Sequence, residues 1–263
     1  MREWDDSVWS AWSAARTCAY EVLHLAFGAE PEAEHLRRYG SGECARVFSL
    51  YGQDGFAGYL QELARRVDDA GEGNGEGGGF GSGGSADPAG GGSGSTNPAA
   101  GPADDLPGLR GEALVSAVRS EYTRLFLGPG TLVAPPWSSC YRLPGEGTIF
   151  NAVTLAVRGV YKEEGFQAAA YPRVADDHIA IMADFLAKTS HAAAAARGSG
   201  DGAECMRLMR MQKRFLEEHV LTWVDTWAEG MRRSKTNLLY PRFAAFAAAM
   251  AREDRDSLGE WLA

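Results

Sequence analysis

Apolar residues in this chain recur at intervals of three and four, and nowhere alternate for long enough to make a strand. Val8, Trp12, Ala15, Ala19, Val22, Leu23, Ala26 and Phe27 fall on one helical face, and Gly28 supplies a stop signal. Pro31 suits the first turn of a short second helix ending near Tyr39. Two more helical stretches are expected around 43–50 and 54–69, the latter with Phe56, Tyr59, Leu60, Leu63 and Val67 on one side. The period returns over 109–127 (Leu114, Val118, Tyr122, Leu125, Phe126) and near 148–164 (Ile149, Phe150, Val153, Val157, Val160, Tyr161). A further helix should begin at Ala175 and run through the alanine-rich HAAAAAR segment to about Arg197. A long helix to about Glu217, a tryptophan-rich one near 219–234, and one or two shorter ones complete the chain. The expected fold is all-α, multi-helix, with no sheet.

Residues 70–103 differ in kind. Glycine and serine dominate them and almost nothing there can be buried, so they read as a disordered insert. It divides the chain into an N-terminal helical part, 1–69, and a main helical part, 104–263. A flexible chain of this composition has an end-to-end distance of roughly 30–35 Å. Lengthening a short connection to this size adds only about 1.5 kcal/mol of closure entropy. Phosphate-binding glycine loops need a fixed spacing and a Lys-Ser/Thr ending, which the insert lacks.

Composition narrows the function classes. Apolar residues are 45% of 263, enough for a sizeable core, and the formal charge is −9. A nucleic-acid binder would need a basic stripe to neutralise phosphates, so that class is disfavoured. Cys18, Cys44, Cys140 and Cys205 form no C-x-x-C pair, which argues for reduced thiols rather than a zinc site or a disulfide framework. The N-terminus has no basic region followed by an apolar run, and no stretch of eighteen apolar residues occurs. A cytoplasmic protein without membrane insertion is expected.

Enzyme chemistry finds little support. Asp176, Asp177 and His178 sit together, but helical neighbours point about 100° apart, so Asp177 and His178 are no acid–base dyad of the i,i+4 kind. An aspartate capping the following helix is the plain alternative, and a groove-facing role for the other, with His178, can coexist with it. His24, His35, His178, His191 and His219 make no metal-ligand spacing, and a serine nucleophile elbow lacks its strand. The arginine pairs Arg37-Arg38, Arg65-Arg66 and Arg232-Arg233 read as solvated helix faces. Trp223 and Trp227, four apart, read first as core and second as the wall of an apolar groove. No catalytic residue, metal or cofactor is assigned.

The loop after Phe126 is the exception to a bland reading. Gly128 and Pro129 stop the preceding helix, Pro135 and Pro136 stiffen the next stretch, and Trp137 and Tyr141 are large side chains for a loop. Spacing alone leaves lid and binding site equally open. Cys140 reads as packing.

The order E-Y-x-R-L-F-x-G-P (from Glu121), A-P-P-W-x-S-x-Y (from Ala134) and D-D-H-I (from Asp176) resembles the TorD/DmsD/NarJ group of redox enzyme maturation chaperones. The likeness is closest to the TorD/DmsD branch, specific from Glu121 to Leu186, and looser through FLEEHVLTWVDTWAEGM and NLLYPRFAAF. The first seventy residues share only the helical pattern. Two departures are the glycine-rich insert and Asn151, near where relatives often carry glycine. The resemblance implies an all-helical, non-enzymatic cytoplasmic chaperone. It would bind the twin-arginine signal peptide of a molybdopterin oxidoreductase and hold the precursor until cofactor insertion. The implied partner is the leader and body of that catalytic subunit, with the chaperone a monomer or a helix-exchanged dimer. The positions matching the family's peptide-binding region are Tyr122, Leu125, Phe126, Trp137, Ser139, Tyr141, Asp177 and His178. Some relatives are associated with guanine nucleotide or molybdenum cofactor, for which nothing in these residues speaks independently. The alternative keeps the fold: a NarJ-like assembly factor for a subunit without an export signal.

Two guanidinium groups followed by an apolar stretch suit such a loop. A carboxylate can accept a charge-assisted bond from arginine, while aromatic rings receive aliphatic side chains. Burying four side chains contributes roughly 6–12 kcal/mol gross. Peptide ordering and lost translational freedom offset much of it, which leaves a reversible complex.

Overall fold

The computed structural model describes residues 5–69, 106–128, 131–143, 150–169 and 173–263. The expected disordered insert, Pro129 and the expected helix start near 148 lie outside the described residues. Those residues form eleven α-helices with two π-helical turns, and among them no strand or sheet. One isolated bridge, Trp137 to His178, is their nearest approach to β pairing.

The first helix, α1 (Asp6–Gly28), is capped by Asp5, whose carboxylate accepts the Ser7 and Val8 N–H groups. Its buried face (Trp9, Arg16, Ala19, Leu23, Phe27) lies mainly against α8 (Ile179–Gly198). Buried residues cover several sides of α8, from Ile179 through Ala193, as expected of a helix held between neighbours. Its other principal neighbour is α9 (Gly202–Phe215).

Three short helices, α2 (Ala33–Tyr39), α3 (Gly42–Leu50) and α4 (Asp54–Asp68), pack on one another, α3 also touching α1. Pro31 stands just outside α2, and Glu32 takes the capping position. Gly40 permits the closest of these approaches. A Cβ there would meet Ala64 Cβ at 2.4 Å and the Leu60 carbonyl at 2.5 Å.

After residue 105, α5 (Gly111–Tyr122) widens into a π-helical turn, Thr123–Leu127. A one-turn helix, α6 (Ser139–Arg142), follows, then α7 (Ala152–Glu163), then α8. The long helix expected to Glu217 ends as α-helix at Phe215, passes through a second π turn, Leu216–Val220, and resumes as α10 (Val224–Arg232). The last helix, α11 (Tyr240–Leu262), packs on α10, α9 and α1.

One apolar cluster runs from Trp9 to Leu258 and includes helices from both sides of residues 70–105. Several of its rings pack edge to face, Phe48 against Phe246 at 4.7 Å and Phe56 against Phe243 at 5.1 Å. Each such buried side chain contributes about 1.5–3 kcal/mol. Three buried charges, Arg16, Asp254 and Glu121, are satisfied within this core. Arg16 makes a bidentate pair with Asp254, which also accepts the Tyr20 hydroxyl at 2.7 Å. Glu121 accepts the Leu238, Leu239 and Tyr240 N–H groups and the Thr236 hydroxyl, capping α11 from α5.

Candidate functional site

The loop between the first π turn and α6 is stitched to the entry of α8. Ile179 N–H donates to the Pro136 carbonyl at 2.9 Å, and Ser138 N–H donates to the Asp177 carbonyl at 3.1 Å. Prolines preset this extended run, and the two bonds give it a partner that a free loop would lack. From the other side, α10 approaches so closely that a Cβ on Gly230 would sit 3.2 Å from Ala134 Cβ.

Asp177 is fully buried and fixes the arrangement. Its carboxylate accepts Ser139 N–H at 2.7 Å and the Thr154 hydroxyl at 2.8 Å, joining α6, α7 and the start of α8. Asp176 is likewise buried, accepting Arg158 Nε at 2.7 Å on its carboxylate and the Tyr161 hydroxyl on its carbonyl.

Neither aspartate caps α8. That helix begins at Ile179 rather than Ala175, and His178 is its cap, Nδ1 accepting the Ala180 N–H at 3.1 Å. An unprotonated Nδ1 places the ring proton on Nε2. Burial holds His178 down at about 4, with nearby His24 adding to the effect, so the ring is neutral at pH 7. His24 Nδ1 donates to the Ala180 carbonyl at 2.9 Å, so two histidines serve one turn of backbone. Asn151, in turn, caps α7 through Val153 N–H at 3.0 Å, a task glycine could not perform with a side chain.

Six of the eight sequence-derived positions fall into three pairs. Trp137 and His178 meet edge to face at 5.2 Å; Ser139 and Asp177 share a hydrogen bond; Tyr122 and Phe126 are 5.1 Å apart. Tyr141 stacks on Trp223 at 5.4 Å. From there a chain of rings runs through Trp227 and Phe27 to Phe126. Tyr122, Leu125, Ser139 and Asp177 are buried, whereas Phe126, Trp137, Tyr141 and His178 are half-buried. Trp223 and Trp227 are both fully buried, and Trp223 precedes α10 as its capping residue rather than lying within it.

Sequence reasoning missed Thr154, Glu121 and the exposed residues Leu127 and Val133, which are 62% and 64% accessible. Two apolar residues flanking an aromatic loop were an available signal. Thr154 carried none, because its partner is 23 residues away.

The loop also holds polar atoms without partners. Trp137 Nε1, Ser138 Oγ and Tyr141 OH are buried and make no hydrogen bond, as is Trp227 Nε1 behind them. Buried polar groups are nearly always satisfied, so this concentration is unusual. An indole N–H can only donate. The complement of such a set is a ligand presenting acceptors, such as peptide carbonyls, beside aliphatic groups. Among the described residues no group of three or more His, Cys, Asp or Glu could hold a metal ion, and no helix is long and apolar enough to cross a membrane.

The nitrate reductase delta subunit family model matches residues 100–229. The chaperone protein TorD of Vibrio cholerae (strain O395) is 27% identical over 141 residues, covering 54% of this chain and 62% of TorD. The Tat proofreading chaperone DmsD of Salmonella typhimurium (strain LT2) is 36% identical over 70 residues, covering 26% of this chain and 34% of DmsD. The chain thus spans about three fifths of the first relative's length and a third of the second's.

Proposed function

On the premise that this chain matches, at family level, the TorD/DmsD/NarJ-like superfamily of redox enzyme maturation chaperones, we propose that it binds the twin-arginine leader of a molybdopterin oxidoreductase. It would hold that precursor in the cytoplasm, without catalysing a reaction, until the cofactor is in place.

The observation that carries this reading is the set of half-buried aromatic faces around the loop, Phe126, Trp137 and Tyr141 with His178. Phe126, Trp137, Tyr141 and His178 are the contact residues in this proposal. Leu127 and Val133 extend the apolar surface available to the leader's hydrophobic stretch. Tyr122, Leu125, Ser139 and Asp177 hold the contact residues in place, Asp177 through the two bonds it already makes. The net charge of −9 favours encounter with a leader carrying two arginines.

Calorimetric titration with twin-arginine leaders encoded in the same genome is the test. Binding that weakens when the arginine pair becomes lysine supports the proposal. Heat-silent titrations confirmed by a second method, with every leader tried, would sink it.

The family model over 100–229 favours one further reading, an assembly factor acting on a subunit without an export signal. A pull-down with leaderless client separates the two. Retention without the leader favours assembly; loss favours leader recognition.

A further inference from the structure

The apolar stripe of α1 runs on past the part that its neighbours cover. Val8, Ala11, Trp12 and Ala15 follow at three- and four-residue spacing, yet Val8 is 55% exposed and Ala11 is exposed with it. Nearby, α3 ends in Leu50, 66% exposed, with Tyr51 directly after it. Together with Glu253 and Ser257 on α11, these residues line a cavity of about 280 Å³. Trp12 is its half-buried aromatic wall, held by Trp9 at 5.2 Å and Trp261 at 5.4 Å.

Charge is unevenly placed around this hollow. Arg16 lies over the Trp12 ring at 4.7 Å, but it is fully buried and its charge is matched by Asp254. On α11, Arg252 and Arg255 pair with Asp225 and Asp256. Glu253, exposed, has no ion-pair partner among the described residues, and it alone of the lining residues is charged. An open apolar hollow with one free carboxylate in its lining complements an aliphatic side chain carried beside a cation.

The hollow lies at the far end of the bundle from the aromatic loop. Phe27 and Tyr240 both meet Phe126 beside that loop. Trp12 stands fifteen residues back from Phe27 along α1, and Glu253 thirteen residues on from Tyr240 along α11. At the rise of an α-helix, each separation is about 20 Å.

We propose that the hollow between α1, α3 and α11 is a second binding site, which takes a peptide segment of a partner protein carrying an aliphatic residue next to arginine or lysine. The aliphatic side chain enters between Val8, Trp12 and Leu50, and the cation pairs with Glu253. A second copy of this chain fits less well, because two chains of formal charge −9 repel. The site is separate from the loop and does not depend on what the loop binds.

The experiment titrates the full chain, isotope-labelled at its tryptophan indoles, with acetyl-leucyl-arginine amide and with acetyl-leucyl-glutamate amide. Trp12→Phe and Trp137→Phe assign the two indole signals that matter. The arginine probe should move the Trp12 signal to saturation and leave that of Trp137 in place, while the glutamate probe binds more weakly. Glu253→Gln should weaken the arginine probe by roughly 2–5-fold, the strength of an exposed ion pair, and bring the two probes level. Leu50→Ser should weaken both probes. Both replaced side chains are exposed, so neither variant threatens the fold. A Trp12 signal that neither probe moves, equal affinity for the two probes, or indifference to both variants overturns the proposal. Self-association in sedimentation that Leu50→Ser abolishes would give the hollow to a second copy and overturn it equally.

Discussion

The Thr154 hydroxyl donates to Asp177 across 23 residues of sequence, at 2.8 Å, while the other Asp177 oxygen takes Ser139 N–H. One fully buried carboxylate therefore sets the position of the loop, of α7 and of the entry to α8. Its removal leaves two buried donors facing a void.

Asp177→Ala should cost about 2–4 kcal/mol, with each orphaned donor adding its own desolvation penalty. Thr154→Val, close to isosteric, should cost about 1–2 kcal/mol and leave Ser139 satisfied. Urea unfolding of both variants measures this. If Asp177→Ala loses leader binding with an unchanged unfolding midpoint, the carboxylate acts on the ligand and not on the loop.

His178 gives stability a pH dependence of defined sign. Its folded-state pKa of about 4 lies below the ordinary imidazole value near 6.5, so the unfolded chain binds more protons between those limits. Its contribution to stability is complete above about pH 6.5 and falls as pH drops toward 4. His178→Asn keeps a capping acceptor and should flatten that part of the profile. The difference in melting temperature between the two proteins, followed from pH 7 to 4, is the readout. Parallel curves would contradict the assignment.

The Arg16–Asp254 pair is buried on both sides. Asp254→Asn should destabilise by about 3–5 kcal/mol, because a guanidinium remains in the core without its counter-charge. Removing both partners with apolar replacements should recover much of that loss. Denaturant titration of the single and double variants distinguishes loss of a charge from loss of packing.

Gly40→Ala should destabilise by about 1–3 kcal/mol, since its methyl would overlap both Ala64 Cβ and the Leu60 carbonyl. Adding Ala64→Gly removes only the side-chain clash, so recovery should be partial. Full recovery in the double variant would mean that the backbone of α4 yields.

Helices were legible from the sequence because their signal is local. The intervals of Val8 to Phe27 and of Phe56 to Val67 reappear as buried faces of α1 and α4, although the buried set of α1 includes Arg16 and omits Val8 and Trp12. Helix ends were less legible. His178 caps α8 because Asp176 and Asp177 are drawn inward by Arg158, Thr154 and Ser139. Propensity ranks aspartate above histidine as a cap, and tertiary partners override it. The loop's aromatic content was visible, as was its ordering relative to D-D-H-I. Its division into half-buried and buried residues was not, because the partners of Tyr141 and Phe126 include rings just before α10, on α11 and on α1. Glu121 was visible only as part of a motif. Its role needs the start of α11, more than a hundred residues away.

The ring stack that joins Tyr141 to Trp223 and Trp227 is also an optical circuit. Aromatic chromophores held at fixed angles within about 6 Å couple their transitions, and a rigid chiral arrangement of that kind rotates near-ultraviolet light. A guest that lifted Tyr141 from Trp223 would retune the coupling at once. The chain therefore carries an unlabelled reporter beside its proposed binding loop.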